Sequence, residues 1–230
     1  MTVALEAFDS REAASHAAAG LLAGSLRRDL DRGSPASLVL SGGTSPGRCY
    51  ELLSRADLDW RRVRLLPSDE RWVPPDDPAS NEHLVRCSLM QGRAAEADFL
   101  PLYRAGLDPD QAPAAVERDL EALADPFSAV LLGMGADGHF ASLFPDFDGL
   151  RQALDPAGAE RCVVVRTAGS PFVRISLTLA ALLRTRETVL LFFGEDKRAV
   201  FEAAAAGDGR YPVSALLAQD GENITALWAP

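Results

Sequence analysis

The sequence predicts a three-layer α/β protein, a largely parallel sheet with helices on both faces, and three observations carry that prediction. Short apolar runs alternate with amphipathic stretches along all 230 residues without a break that reads as a linker. Several runs, such as Phe127–Leu132 and Thr188–Phe193, are apolar almost continuously, the pattern of strands buried on both faces. Turns rich in glycine or charge follow directly on those runs, as they do where loops gather at the carboxyl ends of parallel strands. The expectation is one domain over residues 1–230.

Taken in order, Thr2–Phe8 alternates like an edge strand. Asp9, with Glu12 three residues on, reads as a capping box that opens an alanine-rich helix to about Leu30. Ser37–Leu40 is a strand, and after Ser41-Gly42-Gly43-Thr44 the pair Ser45 and Pro46 reads as N-cap and first residue of a helix to about Ser54. Val63–Leu66 is the next strand, Pro67–Trp72 a loop, and Asn81 to about Met90 and Asp110–Leu123 are helices. Phe127–Leu132 is the cleanest buried strand and runs into Gly133-Met134-Gly135-Ala136-Asp137-Gly138-His139, whose glycines dictate a tight turn. Cys162–Thr167, Ile175–Leu177, Thr188–Phe193 and Ile224–Trp228 follow as strands, with helices at Leu179–Leu183 and Lys197–Ala206.

Composition narrows the function classes. A hydrophobic share of 47% beside 24% charged residues is that of a globular protein with a sizeable core. The net charge of −10 argues against nucleic acid and anionic membranes, which recruit clustered Lys and Arg, although a local basic pocket still suits a small anion. No apolar run reaches the roughly 20 residues of a membrane helix, and Met1–Phe8 lacks the pattern of a secretory signal, so the expected location is the cytoplasm. Cys49, Cys87 and Cys162 show no CxxC spacing and read as buried, reduced thiols.

Four stretches fall at strand ends where ligands bind: Ser41–Thr44, Asp69–Arg71, Gly133–His139 and Gly194–Lys197. Ser41, Gly42, Gly43 and Thr44 offer unobstructed N–H groups and two hydroxyls at the positive end of the following helix, which suits a phosphate; a plain tight turn needs the same glycines. Lys197 is the sole lysine among 23 basic residues and stands in a helical first turn, where the dipole disfavours a cation, so a phosphate contact gives it a purpose. Arg174 is a candidate second phosphate cation.

Of the three histidines, His16 and His83 lie on helices, whereas His139 sits in the glycine-rich loop two residues after Asp137. An imidazole there can take a proton from water near neutral pH, with Asp137 either orienting the ring or capping the turn. Asp69 and Arg71 add a carboxylate for sugar hydroxyls and a guanidinium for a developing oxyanion; Glu70 and Arg71 as a surface ion pair is the plainer alternative. No HExxH-like spacing supports a metal site.

Three motifs in order, Ser41-Gly42-Gly43-Thr44-Ser45-Pro46, Asp69-Glu70-Arg71-Trp72-Val73-Pro74 with Ser80-Asn81, and Gly133 through His139 to Phe140-Ala141-Ser142-Leu143-Phe144-Pro145, resemble the 6-phosphogluconolactonase family, which is grouped with glucosamine-6-phosphate deaminase. The resemblance implies a Rossmann-like fold and hydrolysis of 6-phospho-D-glucono-1,5-lactone to 6-phosphogluconate in the oxidative branch of the pentose phosphate pathway, without cofactor. It implies His139 as the base, Ser41–Thr44, Gly135, Asp137, Arg174 and Lys197 as substrate contacts, and Asp69 and Arg71 beside the sugar and its developing charge. The partner is a small phosphosugar lactone, and the chain is expected as a monomer or small homo-oligomer. The deaminase branch resembles this chain less, because Arg71 stands where that branch usually has tyrosine and Leu143-Phe144-Pro145 stands where it has Asn-Glu. A sugar-phosphate sensor without catalysis is the third reading, and it has no need of His139. The segment Ser170-Pro171-Phe172-Val173 is less proline-rich than the family pattern. All of these readings require the loops to meet at one end of the sheet.

Overall fold

The computed structural model describes residues 3–123, 125–219 and 223–230. In chain order the elements are β1 (Leu5–Ala7), α1 (Arg11–Asp31), β2 (Ala36–Leu40), α2 (Gly47–Leu53), β3 (Val63–Pro67), β4 (Asp69–Arg71), α3 (Asn81–Ser88), β5 (Asp98–Phe99) and α4 (Ala112–Glu121). They continue as β6 (Ala129–Leu132), α5 (Leu150–Ala153), β7 (Cys162–Val165), β8 (Arg174–Leu177), α6 (Leu179–Leu182), β9 (Thr188–Phe193), α7 (Glu195–Ala205), α8 (Val213–Leu217) and β10 (Ile224–Ala229).

Seven strands form one parallel sheet in the order β1-β10-β9-β6-β2-β3-β5. Its central strands are apolar on both faces because each face is covered. Leu38, Leu40, Val189 and Leu191 pack on one side with Ala14, Ala18, Leu22 and Leu26, the i,i+4 stripe of α1. Val39, Leu190 and Phe192 face the opposite core, which holds Val116 and Leu120 of α4, Phe201 of α7 and Leu216 of α8. None of the described helices is long and apolar enough to cross a membrane.

Several sequence expectations need correction. Cys162–Val165 and Arg174–Leu177 do not join the parallel sheet; with Asp69–Arg71, read as loop, they form a separate antiparallel sheet in the order β4-β8-β7. The cap of α1 is Ser10, whose hydroxyl accepts from the Ala13 amide, while Glu12 of the expected capping box is drawn to Arg48 by two hydrogen bonds of 2.7 and 2.8 Å. Helix α2 opens at Gly47 without a side-chain cap, since the turn through Gly43, at φ +84°, spends Thr44 and Ser45 on the approach and leaves both beside a cavity. Cys49 and Cys162 are buried, but Cys87 is exposed on α3, with its sulfur 3.6 Å from His83 Nε2. Burial pushes the Cys49 thiol up to about 12. The short elements β5, α5 and α8 have no counterpart in the sequence reading, because two to five residues carry too little periodicity to show.

Candidate active site

The carboxyl ends of β2, β6 and β9 and the first strand of the small sheet enclose a cavity of about 190 Å³. It is lined by Ser41, Gly42, Gly43 and Thr44 after β2, by Asp69 and Arg71 of β4, by Gly135 and His139 after β6, by Arg174 of β8 and by Lys197 of α7. Segments that lie far apart in the chain therefore meet at one rim, as the sequence reading required. Asp137 is the exception: it stands behind His139, on the wall of a neighbouring hollow.

The glycine cradle is held by strand-end bonds. Ser41 Oγ accepts from the Gly133 amide at 3.0 Å and donates to the Gly42 carbonyl at 3.2 Å, joining the loops after β2 and β6. A Cβ at Gly42 would overlap the side-chain amide of Asn81, which would have to leave its place. That closeness brings Asn81 to the cradle, where its amide donates to the Asp69 carbonyl at 2.6 Å and accepts from the Arg71 guanidinium at 2.7 Å.

His139 is set by its own loop. Its Nδ1 lies 2.6 Å from Asp137 Oδ1, which also accepts from the His139 backbone amide at 3.2 Å, so Asp137 both orients the ring and closes the turn. Partial burial raises the Asp137 carboxyl, but the hydrogen bond and charge of His139 outweigh it and hold the group below its usual range. An ionised carboxylate can only accept, so Nδ1 donates to it and Nε2 is the ring nitrogen left for proton exchange. A Cβ at Gly135 would overlap the His139 imidazole and the Asp137 carboxylate, so any side chain there has to displace the pair. Ala141, at φ +48°, holds a left-handed conformation just beyond His139 and turns Ser142 toward the small sheet.

On that sheet Arg71 and Arg174 are directly opposed across the β4–β8 ladder, a like-charge juxtaposition that favours an anion between them. Arg71 donates to Asn81 and to the Ala79 carbonyl, while its Nε is buried and finds no acceptor among the described residues. Burial lowers the Arg174 pKa; nearby Asp69 raises it and Arg71 lowers it further. Asp69 is 4% exposed and accepts from Ser142 at 2.5 Å and Ser68 at 3.0 Å, with Arg174 at 3.9 Å. Glu70 makes no surface ion pair with Arg71. It is 1% exposed, and its carboxylate accepts from the amides of Asn81 at 2.7 Å and Glu82 at 2.8 Å, capping α3. Lys197 is the third residue of α7, and burial lowers its pKa, with Asp137 opposing and Arg11 adding to the shift.

Sequence reasoning missed the roles of Asn81 and Phe144. Both lie inside the motifs, yet neither titrates, and only contact distances bring them out. The Phe144 ring lies 4.3 Å from that of His139, centroid to centroid, and 5.1 Å from the Arg174 guanidinium carbon.

Comparison with known proteins agrees with this architecture. The pattern of a family described as glucosamine-6-phosphate isomerases/6-phosphogluconolactonase matches residues 9–226. The chain is 42% identical to a 6-phosphogluconolactonase of Caulobacter vibrioides, covering 99% of this chain and 97% of that protein. It is 38% identical to a 6-phosphogluconolactonase of Mesorhizobium japonicum, covering 97% and 94%. A crystal structure of a 6-phosphogluconolactonase from Shewanella baltica superposes with a TM-score of 0.94 at 36% identity, covering 100% of this chain and 98% of that one. In sequence over nearly its whole length and in fold, the chain belongs to the glucosamine-6-phosphate isomerase/6-phosphogluconolactonase family.

Proposed function

We propose that the chain is a hydrolase that converts 6-phospho-D-glucono-1,5-lactone to 6-phosphogluconate, in the oxidative branch of the pentose phosphate pathway. The observation that carries the reading is the Asp137–His139 pair, at 2.6 Å, with His139 on the wall of the same cavity as the glycine cradle and Lys197.

His139 Nε2 removes a proton from water, and the water oxygen bonds to the lactone carbonyl carbon. The carbonyl becomes an oxyanion, which Arg71, on the wall of the cavity, is placed to stabilise. As the oxyanion collapses, the ring carbon–oxygen bond breaks and the leaving oxygen takes the proton back from His139. Water and lactone account for every atom of the product, so the step balances without a cofactor. Ionised Asp137 stabilises the transient imidazolium. The amides of Ser41–Thr44, with Arg174 and Lys197, hold the phosphate, and Gly135 leaves room for the base beside it. Asp69 is better read as positioning Ser142 and Arg174, since its oxygens are already engaged by hydroxyls.

The reading includes one lactonase domain over residues 1–230, working in the cytoplasm as a monomer or small homo-oligomer. A single sheet shared by both cores supports the single domain. Proton release from fresh 6-phosphogluconolactone, measured beside ammonia release from glucosamine 6-phosphate, tests the activity. Acceleration of the first alone is expected. Ammonia would reassign the chain to the deaminase branch, and no acceleration of either would leave a sensor.

A further inference from the structure

We propose that Phe144 is a positioning residue whose aromatic ring steadies the His139 imidazole and favours its protonated form. The proposal rests on the reading of His139 as the base. Asp137 restrains the imidazole only at its Nδ1 edge, and one in-plane hydrogen bond leaves the ring face free. Phe144 supplies the face contact, with centroids 4.3 Å apart and planes inclined by 40°. The same phenyl ring carries the Arg174 guanidinium carbon 5.1 Å from its centroid. One side chain thus meets the base and one of the cations beside it.

The charges around His139 make that ring consequential. Asp137 faces it from its own loop, Lys197 from α7, Asp69 and Arg71 from β4 and Arg174 from β8, while Tyr211 lies against the neighbouring Gly138. Asp137, in contact at 2.6 Å, attracts a positive charge on the imidazole while Lys197, Arg71 and Arg174 oppose it, so a π face against the ring adds to the pull of the carboxylate. The negative π face of Phe144 attracts both the imidazolium and the guanidinium, and the attraction to His139 appears only once the proton has been taken. Phe144 therefore acts in the transition state through His139, without touching the substrate.

The test uses the chain's three histidines, whose ring protons can be titrated by NMR in the intact protein. Phe144→Leu should lower the His139 midpoint by about half a pH unit, the low end of a cation–π contact, and lower kcat about threefold. His16 and His83 should titrate as in the unaltered protein, and an unaltered circular dichroism spectrum establishes that the variant is folded. Phe144→Tyr keeps the aromatic face and should restore both the midpoint and kcat. An unmoved His139 midpoint in Phe144→Leu, or a Phe144→Tyr variant as impaired as the leucine one, overturns the proposal. Undiminished turnover by His139→Ala would instead remove the base assignment beneath it, an outcome separable from either result at Phe144.

Discussion

The two sheets approach the cavity by different means. At the carboxyl ends of the parallel sheet the chain presents backbone amides and a histidine on glycine turns, where the absence of side chains at Gly42 and Gly135 matters as much as any group present. The small antiparallel sheet presents charged side chains instead, with Arg71 and Arg174 opposed on a rigid ladder and Asp69 buried beside them. In the proposed reaction the first arrangement moves a proton and cradles an anion with dipoles, and the second concentrates positive charge where burial has stripped away water. Chemistry is thereby assigned to the large sheet and electrostatic support to the small one.

That division can be broken most directly at His139. His139→Ala should lower turnover by about 10² to 10⁴-fold while 6-phosphogluconate still binds by calorimetry. Unchanged turnover would remove the proton transfer from the large sheet. Gly135→Ala keeps every reactive group but pushes a methyl into His139 and Asp137, so kcat should drop by about 10²-fold, the cost of misplacing a base by around an ångström. If this variant has the unaltered kcat, the loop tolerates what its geometry forbids.

Lys197→Ala should raise KM about tenfold and change kcat less, because a phosphate contact is present in ground and transition states alike. Since burial holds the Lys197 ammonium below the ordinary lysine range, it loses its proton earlier as pH rises, and substrate affinity should weaken at a lower pH than an exposed lysine would dictate. An unaltered KM in Lys197→Ala contradicts the clamp. The smallest effect belongs to the small sheet. Ser142→Ala removes the hydroxyl that donates to Asp69 and lies 3.5 Å from Arg174, and kcat/KM should drop about threefold, the worth of one hydrogen bond. A loss beyond a hundredfold would place chemistry, rather than support, on that sheet.

Legibility in the sequence followed the same divide. Ser41–Thr44 and Gly133–His139 are contiguous, so glycine spacing after an apolar run shows both the turn and its exposed donors. The strands of the small sheet are three or four residues long, and β4 pairs with β8 about a hundred residues away, so Asp69–Arg71 looks like a loop until its partner is placed. Asn81 looks like the start of a helix; its contacts with Gly42, Asp69 and Arg71 exist only after folding. The capping box at Asp9 failed because a nearby serine was the better-placed acceptor and an arginine from α2 engaged Glu12.

The amino-acid sequence by itself determined the layered fold, the two glycine turns and the histidine that ends the second of them, because these follow from hydrophobic periodicity and from backbone conformations that near neighbours dictate. Tertiary structure alone decided that Arg71 and Arg174 face each other, that Glu70 caps a helix instead of pairing at the surface, and that Phe144 lies against the imidazole. Those relations depend on long-range packing and on how deeply each charge is removed from water, and neither quantity is carried by any local stretch of residues.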